Sequence, residues 1–334
     1  MQELYPGLFK ITIALKGFSP GSVNLYALKD GAGFSLIDTG WDLPESIESL
    51  QSQLNEAGFS LKDIQRVFLT HCHSDHLGMV NRLKNEYHAQ ILLHQDEQII
   101  IAVRYNPQVN YWDMTDRFLR THGIPASELP PLKSPFPEIK NLVQADVWLK
   151  GGESFQVGAY RLTVINTPGH TPGHVAYYEP RQRLLFAGDT LLPTIATNAA
   201  THIQQMPNPL KQYLNSLQHL RELDIELVLP GHEQPFTDHR LRIDQLLAHH
   251  TSRSTAVQTL VEAQNQPVNA YHVARLISWS PKNKAVHWEQ LAALDKRFAM
   301  MQAIAHLEML AAQKKLIRIA LHGKISYQSV EKTD

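Results

Sequence analysis

Apolar positions alternate or run together in short stretches through the first third of the chain. Residues 9–15, 23–29 and 33–38 read as strands separated by turns. Residues 43–57 carry apolar side chains at helical spacing and stop at Gly58. The run RVFLT (66–70) predicts a short buried strand. A helix follows from Asp75 or His76 to about residue 86, then a strand at 90–93. From about 95 to 146 the rhythm breaks. This insertion is part helical, rich in aromatic residues, and then Pro-rich in PASELPPLKSPFPEIK. It reads either as a lid over a site or as a surface elaboration. Strands resume at 155–157, 161–165, 175–178 and 183–186, followed by a helix at 209–223 and a strand at 227–229. Strands then helices, twice over, predict two β-rich halves packed together with outer helices.

After about residue 236 the pattern changes. Helices are expected at 239–263, 270–278 and 288–313, then a hairpin of 316–320 and 325–328 around His-Gly-Lys (322–324). Three helices and a hairpin follow one another in the order of a winged helix. The expected domains are therefore 1–236 and 237–334. From Arg240 onward there are thirteen Lys/Arg against seven Asp/Glu, a net of +6, although the whole chain carries −1.

Composition adds three limits. At 43% hydrophobic residues the chain can bury a sizeable core. No apolar run approaches the ~18–20 residues of a membrane span. The start, MQELYPGLFKITIAL, lacks the basic segment, apolar core and small-residue cleavage site of a signal peptide. With Cys72 as the single cysteine no intrachain disulfide can form, which fits a reducing, cytoplasmic location.

Chemistry concentrates in THCHSDHLG (70–78). In an extended strand end, side chains alternate faces, so His71 and His73 point one way and Cys72 the other. Cys72 thus reads as a small buried hydrophobe rather than a ligand. Asp75 and His76 follow where the chain turns into a helix. Three further stretches each run from a strand into a tight loop that carries one ligand type. NTPGHTPGH supplies His170, AGDT supplies Asp189 and LPGHE supplies His232. Converging residue types of this kind point to a metal site. His249, His250 and His306, in helical stretches, read as ordinary packing or surface residues.

The motifs IDTG (37–40), HCHSDH, TPGH, GD and PGH, in this order, resemble those of the metallo-β-lactamase superfamily of hydrolases over about residues 1–236. The resemblance implies an α+β fold: an αββα four-layer sandwich with a one- or two-metal site between its sheets. Carried onto this chain, it implies that His71, His73 and His170 hold one metal. Asp75, His76 and His232 hold the second, and Asp189 bridges both. Asp38 matches a supporting position, but its place before Thr39-Gly40 equally suits a turn-former; His174 also matches a supporting position. Imidazoles and carboxylates suit zinc, iron or manganese, and the expected cofactors are two divalent ions, zinc first. The implied chemistry is attack of a metal-bound hydroxide on an ester-like bond, with Asp75 and Asp189 as the catalytic carboxylates.

Family branches narrow the substrate. The best-known β-lactamases carry cysteine at the position of Asp189, and flavodiiron proteins carry glutamate at that of His73. Glyoxalase II shares the metal residues, but LLPTIATNAATHIQQMPNPLKQYLNSL departs from its glutathione-binding segment. A small thioester, ester or lactone is the expected substrate. The rivals are phosphodiester cleavage in RNA or DNA, a nucleic-acid-binding regulator with a structural metal site, and an iron-dependent dioxygenase. The segment RFAMMQAIAHLEMLAAQKKLIRIALHGKISYQ resembles the winged-helix domain that follows the catalytic domain in one branch of the superfamily. Its recognition-helix counterpart is mostly apolar, and basic residues such as Lys282, Lys284, Lys314 and Lys315 form no dense run. A structural or homo-oligomerising role is therefore preferred over nucleic-acid binding. Tyr105, Tyr111 and Trp112 are candidates to line a substrate pocket, or equally to form the core of a lid; His202 is a further substrate-contact candidate, or a plain surface histidine.

Overall fold

The computed structural model describes residues 1–134, 136–139, 143–201, 203, 207–279 and 285–330. The chain forms two compact units that interleave along the sequence. The first comprises residues 1–109, 135–197 and 216–243, and the second 110–134, 198–215 and 244–334.

The first unit holds a seven-stranded sheet of β1 (Gln2–Tyr5), β2 (Leu8–Ala14), β3 (Ser22–Asp30), β4 (Gly33–Ile37), β5 (Ile64–Phe68), β6 (Gln90–His94) and β7 (Val147–Leu149), in that spatial order. Strands β1 to β4 pair antiparallel through short turns. From β4 to β7 pairing is parallel, because helical crossovers intervene: α1 (Pro44–Glu56), α2 (Ser74–Leu77), α3 (Val80–Tyr87) and α4 (Gln98–Arg104). The expected single helix after Asp75 is two pieces. The chain breaks at Gly78 and Met79, where the Met79 amide donates to the Gly40 carbonyl and the Thr39 hydroxyl, outside the helix.

A second sheet of five strands has the order β12-β11-β10-β9-β8. Strands β8 (Ser154–Val157), β9 (Tyr160–Asn166), β10 (Val175–Glu179) and β11 (Leu184–Gly188) are antiparallel. Strand β12 (Leu227–Pro230) runs parallel to β11.

Neighbouring residues serve opposite faces of the first sheet. Leu25, Ala27, Leu36 and Val67 join the apolar core that also holds Leu50, Leu54 and Leu83 of α1 and α3. Tyr26, Leu28, Ile37 and Phe68 instead meet Leu162, Val164, Tyr177 and Phe186 of the second sheet. Edge-on ring pairs stitch this intersheet core, Phe68 with Phe155 at 5.5 Å and Tyr26 with Phe186 at 5.3 Å. Strands β4 and β11 are buried at every position, as continuous apolar strands covered on both faces must be. The fold is a mixed α/β sandwich with its loops of interest at the ends of β4, β5, β9, β11 and β12.

The second unit contains α5 (Tyr111–Thr121), most of α7 (His239–Glu262), α8 (Ala270–Leu276), α9 (Ala293–Ala312) and the hairpin β13 (Leu316–Leu321) with β14 (Lys324–Ser329). Helix α6 (Pro209–Glu222), like α7, has residues in both units. Leu119, Ile124 and Leu129 of the 110–134 segment share a core with Val257, Val273, Ile304 and Leu307. That shared core is why this stretch belongs with the second unit. The hairpin turns through His322 and Gly323, both at positive φ, as a two-residue turn demands. The helix expected from 288 starts at Ala293. Trp288–Gln290 forms a separate 3-10 turn, closed by reciprocal bonds between His287 and Gln290. Among the described residues, no helix is long and apolar enough to cross a membrane.

Candidate metal centre

Four strand ends deliver the polar cluster. Beyond β5, Thr70 to Leu77 carries His71, His73, Asp75 and His76. Beyond β9 the loop brings His170, beyond β11 Asp189, and beyond β12 His232. All seven fall into three trios whose ligand atoms lie within 4.8 Å of one another: His71-His73-His170, His71-His76-Asp189 and Asp75-His76-His232.

In the first trio His71 Nε2 is 3.1 Å from His73 Nδ1, which is 2.8 Å from His170 Nε2. Donors of a tetrahedral ion at ~2.0–2.1 Å sit about 3.3 Å apart, so these nitrogens are spaced to share one. In the other corner His76 Nε2 is 3.3 Å from His232 Nε2, and Asp75 Oδ2 is 3.4 Å from His232 Nε2. Asp189 spans both. Its Oδ1 lies 3.3 Å from His232 Nε2 and 3.4 Å from His76 Nε2, and its Oδ2 lies 3.5 Å from His170 Nε2. Asp189 Oδ1 is buried without a hydrogen-bond partner, an orphan that a cation would satisfy. The donor set therefore fits divalent metal ions.

The outer nitrogens of the rings are tied down. His76 Nδ1 meets Asp38 Oδ2 at 2.8 Å, His232 Nδ1 meets the Ser22 carbonyl at 2.6 Å, and His71 Nδ1 meets Thr70 Oγ1 at 3.0 Å. Each bond leaves Nε2 facing the cluster, the arrangement that fixes tautomer and ring direction in metal sites. Asp38 also accepts the Thr70 amide at 2.8 Å, and it adopts φ +60°. It is therefore both a turn residue and a support. His174 has both nitrogens engaged, Nε2 by the Asp189 amide at 3.1 Å and Nδ1 by the hydroxyls of Thr167 and Thr190 at 2.8 and 2.9 Å. Its ring stacks on His71 at 4.9 Å.

Electrostatics divides the cluster. Burial, and then the neighbouring imidazoles, hold His71 well below the usual histidine range, so it stays neutral. Burial also pushes His232 and His76 down, but the carboxylates outweigh it. Asp189 and Asp75 raise His232 to about 10, and Asp189, Asp75 and Asp38 raise His76 well above its usual value. Burial lifts Asp189, yet His232 and His76 draw it well below the carboxylate range. This corner demands positive charge, which is what a divalent cation brings.

Cys72 is fully buried in the helix-side core of the first sheet, away from the trios. Burial and the Glu97 carboxylate raise its thiol well above the ordinary value, so it remains protonated. Tyr105 donates its hydroxyl to the Cys72 carbonyl at 2.7 Å and packs beside the same core. Tyr111 and Trp112 stand on α5 in the second unit, edge to face at 5.2 Å, with Tyr111 buried. His202 lies outside the described residues. Sequence reasoning missed Thr70, Glu97 and Gly231. A Cβ at Gly231 would lie 2.7 Å from Asp189 Oδ1 and 2.8 Å from His76 Cε1, so only glycine lets the His232 loop close over the cluster. The Gly of the PGH motif carried that signal.

The sequence profile of the metallo-beta-lactamase superfamily matches residues 18–232. The chain belongs to this superfamily. It is a metallo-hydrolase. The superfamily member resembles the probable metallo-hydrolase YqjP of Bacillus subtilis at 25% identity, over 90% of this chain and 91% of that protein. It is 31% identical to the hydroxyacylglutathione hydrolase of Bartonella henselae over 58% of this chain, spanning 56% of that enzyme. Among solved structures, a metallo-beta-lactamase family protein of Thermus thermophilus superposes with TM-score 0.80 at 27% identity, covering 98% of this metallo-hydrolase and 100% of that chain.

Proposed function

We propose that this metallo-hydrolase holds two divalent ions, zinc first, and cleaves an ester-like bond in a small molecule: a thioester, an ester or a lactone. The observation that carries the reading is Asp189, whose two oxygens face the two ligand trios. His71, His73 and His170 would hold one ion, and Asp75, His76 and His232 the other. Ions bound there would polarise the carbonyl oxygen of the substrate and lower the pKa of water to near neutrality. Asp75 Oδ2 faces the same space and would orient the attacking water, accept its proton and return it to the leaving group. Asp38 and His174 would hold His76, Asp189 and His71 in register. Similarity to a hydroxyacylglutathione hydrolase supports an acyl substrate, although the segment after Asp189 lacks the glutathione-binding pattern.

Residues 237–334 read as winged-helix-like, on the order α7, α8, α9 and then the hairpin of β13 and β14. A structural or self-associating role suits it better than nucleic-acid binding. Eleven residues of α9, the recognition-helix counterpart, are buried, which leaves little of it for a groove. Tyr105, Tyr111, Trp112 and His202 remain proposed substrate contacts, in a cytoplasmic enzyme.

The test combines elemental analysis of protein purified without added metal with assays on a thioester, a lactone and bis-p-nitrophenyl phosphate. Two ions per chain with turnover of the thioester or lactone supports the proposal. Turnover of the phosphodiester alone moves the enzyme to nucleic-acid chemistry. One iron without hydrolysis overturns the mechanism.

A further inference from the structure

Glu97 belongs to no motif of the site, yet it is completely buried beside it. It ends the 3-10 turn Gln95–Glu97 that follows β6. Its Oε2 accepts the amide of Cys72 at 2.8 Å, and its Oε1 accepts the amide of Gly173 at 2.6 Å. Cys72 lies between His71 and His73. Gly173 lies in the loop between His170 and His174. One carboxylate thus joins two loops that are separate in sequence and that together supply the first trio. Eight residues on, Tyr105 donates to the carbonyl of Cys72 at 2.7 Å, so that residue's N–H and C=O are both gripped from one segment.

Burying a carboxylate is costly, and these hydrogen bonds oppose that cost. Two backbone amides on two loops need two acceptor oxygens on one rigid group. A carboxylate offers both, whereas a carboxamide offers one acceptor and a nitrogen that donates. The approach is close on the other side as well. A Cβ at Gly173 would fall 2.9 Å from both the backbone nitrogen and Cγ of Glu97.

We propose that Glu97 is a positioning residue that locks the loop of His71 and His73 to the loop of His170 and thereby sets the spacing of the first metal trio. The proposal rests on the two-metal reading above. Glu97 acts through the backbone of the two loops, whose Cys72 and Gly173 amides it accepts.

The experiment is chelator competition with cobalt(II) on the full chain, together with the visible cobalt spectrum and thermal unfolding, for wild type, Glu97→Gln and Glu179→Gln. Glu179 is the control, a buried carboxylate on β10 that accepts the Gln182 amide and lies outside the trios. In Glu97→Gln one of the two cobalt equivalents should bind about 10–100-fold more weakly, with an altered spectrum, while the other stays as in wild type. Glu179→Gln should keep both affinities whatever its melting temperature. Wild-type cobalt affinities and spectrum in Glu97→Gln overturn the proposal, as does an equal loss in both variants. Should Glu97→Gln fail to fold, Tyr105→Phe carries the test. It should weaken the same equivalent, and unchanged binding there overturns the clamp. A wild type that binds no cobalt overturns the two-metal reading itself, a result distinct from the others.

Discussion

Asp38 Oδ2 accepts the Nδ1–H of His76 at 2.8 Å, and both side chains are sealed from solvent. The contact aims His76 Nε2 at Asp75, Asp189 and His232. It also explains why a non-glycine residue sits at φ +60° in the IDTG turn, since aspartate tolerates that region and its carboxylate is needed there. Asp38→Asn keeps the shape and replaces one acceptor by a donor. Metal affinity should fall about 10–100-fold, measured by chelator titration. Unchanged affinity in that variant would show that Asp38 serves the turn alone.

Cys72 tests the opposite claim, that a side chain inside the metal motif takes no part in it. Its backbone is held by Glu97 and Tyr105, and its thiol is packed in the apolar core. Cys72→Ala removes only the sulfur. Stability should drop by about 1 kcal/mol, with metal content and turnover near wild type. Loss of metal in this variant, read by elemental analysis, would make the thiol a ligand.

The contrast between Cys72 and Glu97 shows what a sequence makes legible. Alternation along a strand end is local, so the opposite directions of Cys72 and of His71 and His73 follow from chain geometry alone. The ligand loops are equally local, each a strand, a turn and one histidine or aspartate. Glu97 works across distance, joining Cys72 and Gly173, and nothing in LLHQDEQII marks that glutamate as buried. Segment 110–134 is a similar case. Its helical pattern is readable, but the core that Leu119 and Ile124 enter is built mainly from residues beyond 256. Helix breaks at Met79 and before Ala293 also escaped, because they answer to Gly40 and to the His287 cap rather than to periodicity.

Arg297 gives the second unit a buried charge. Its guanidinium is fully covered, binds Asp116 through two bonds of 2.7 Å and donates to the Pro130 and Ala293 carbonyls. The pair ties α9 to α5. Arg297→Met should cost about 3–5 kcal/mol in urea unfolding, because it strands Asp116. Adding Asp116→Leu should recover much of that loss. A double variant no more stable than the single one would place the energy in the carbonyl contacts instead.

Acid should weaken the second unit through its buried histidines. Burial, and then His249 and Arg253, depress His250 to about 3; burial depresses His122 to about 4. Both lie below the ordinary value of 6.5, so in the window beneath it the unfolded chain binds protons that the native state refuses. Their stabilisation is complete above that value and is lost as pH falls towards the folded values. At pH 5 the two together should cost up to about 4 kcal/mol relative to neutral pH. His250 leaves both ring nitrogens without partners, so replacing it should forfeit little hydrogen bonding. His250→Leu should flatten the slope of unfolding free energy against pH by about 1 kcal/mol per unit between pH 6 and 5. Urea titrations of wild type and variant at those two values give the difference directly. Parallel slopes would mean that His250 takes up its proton in the native state.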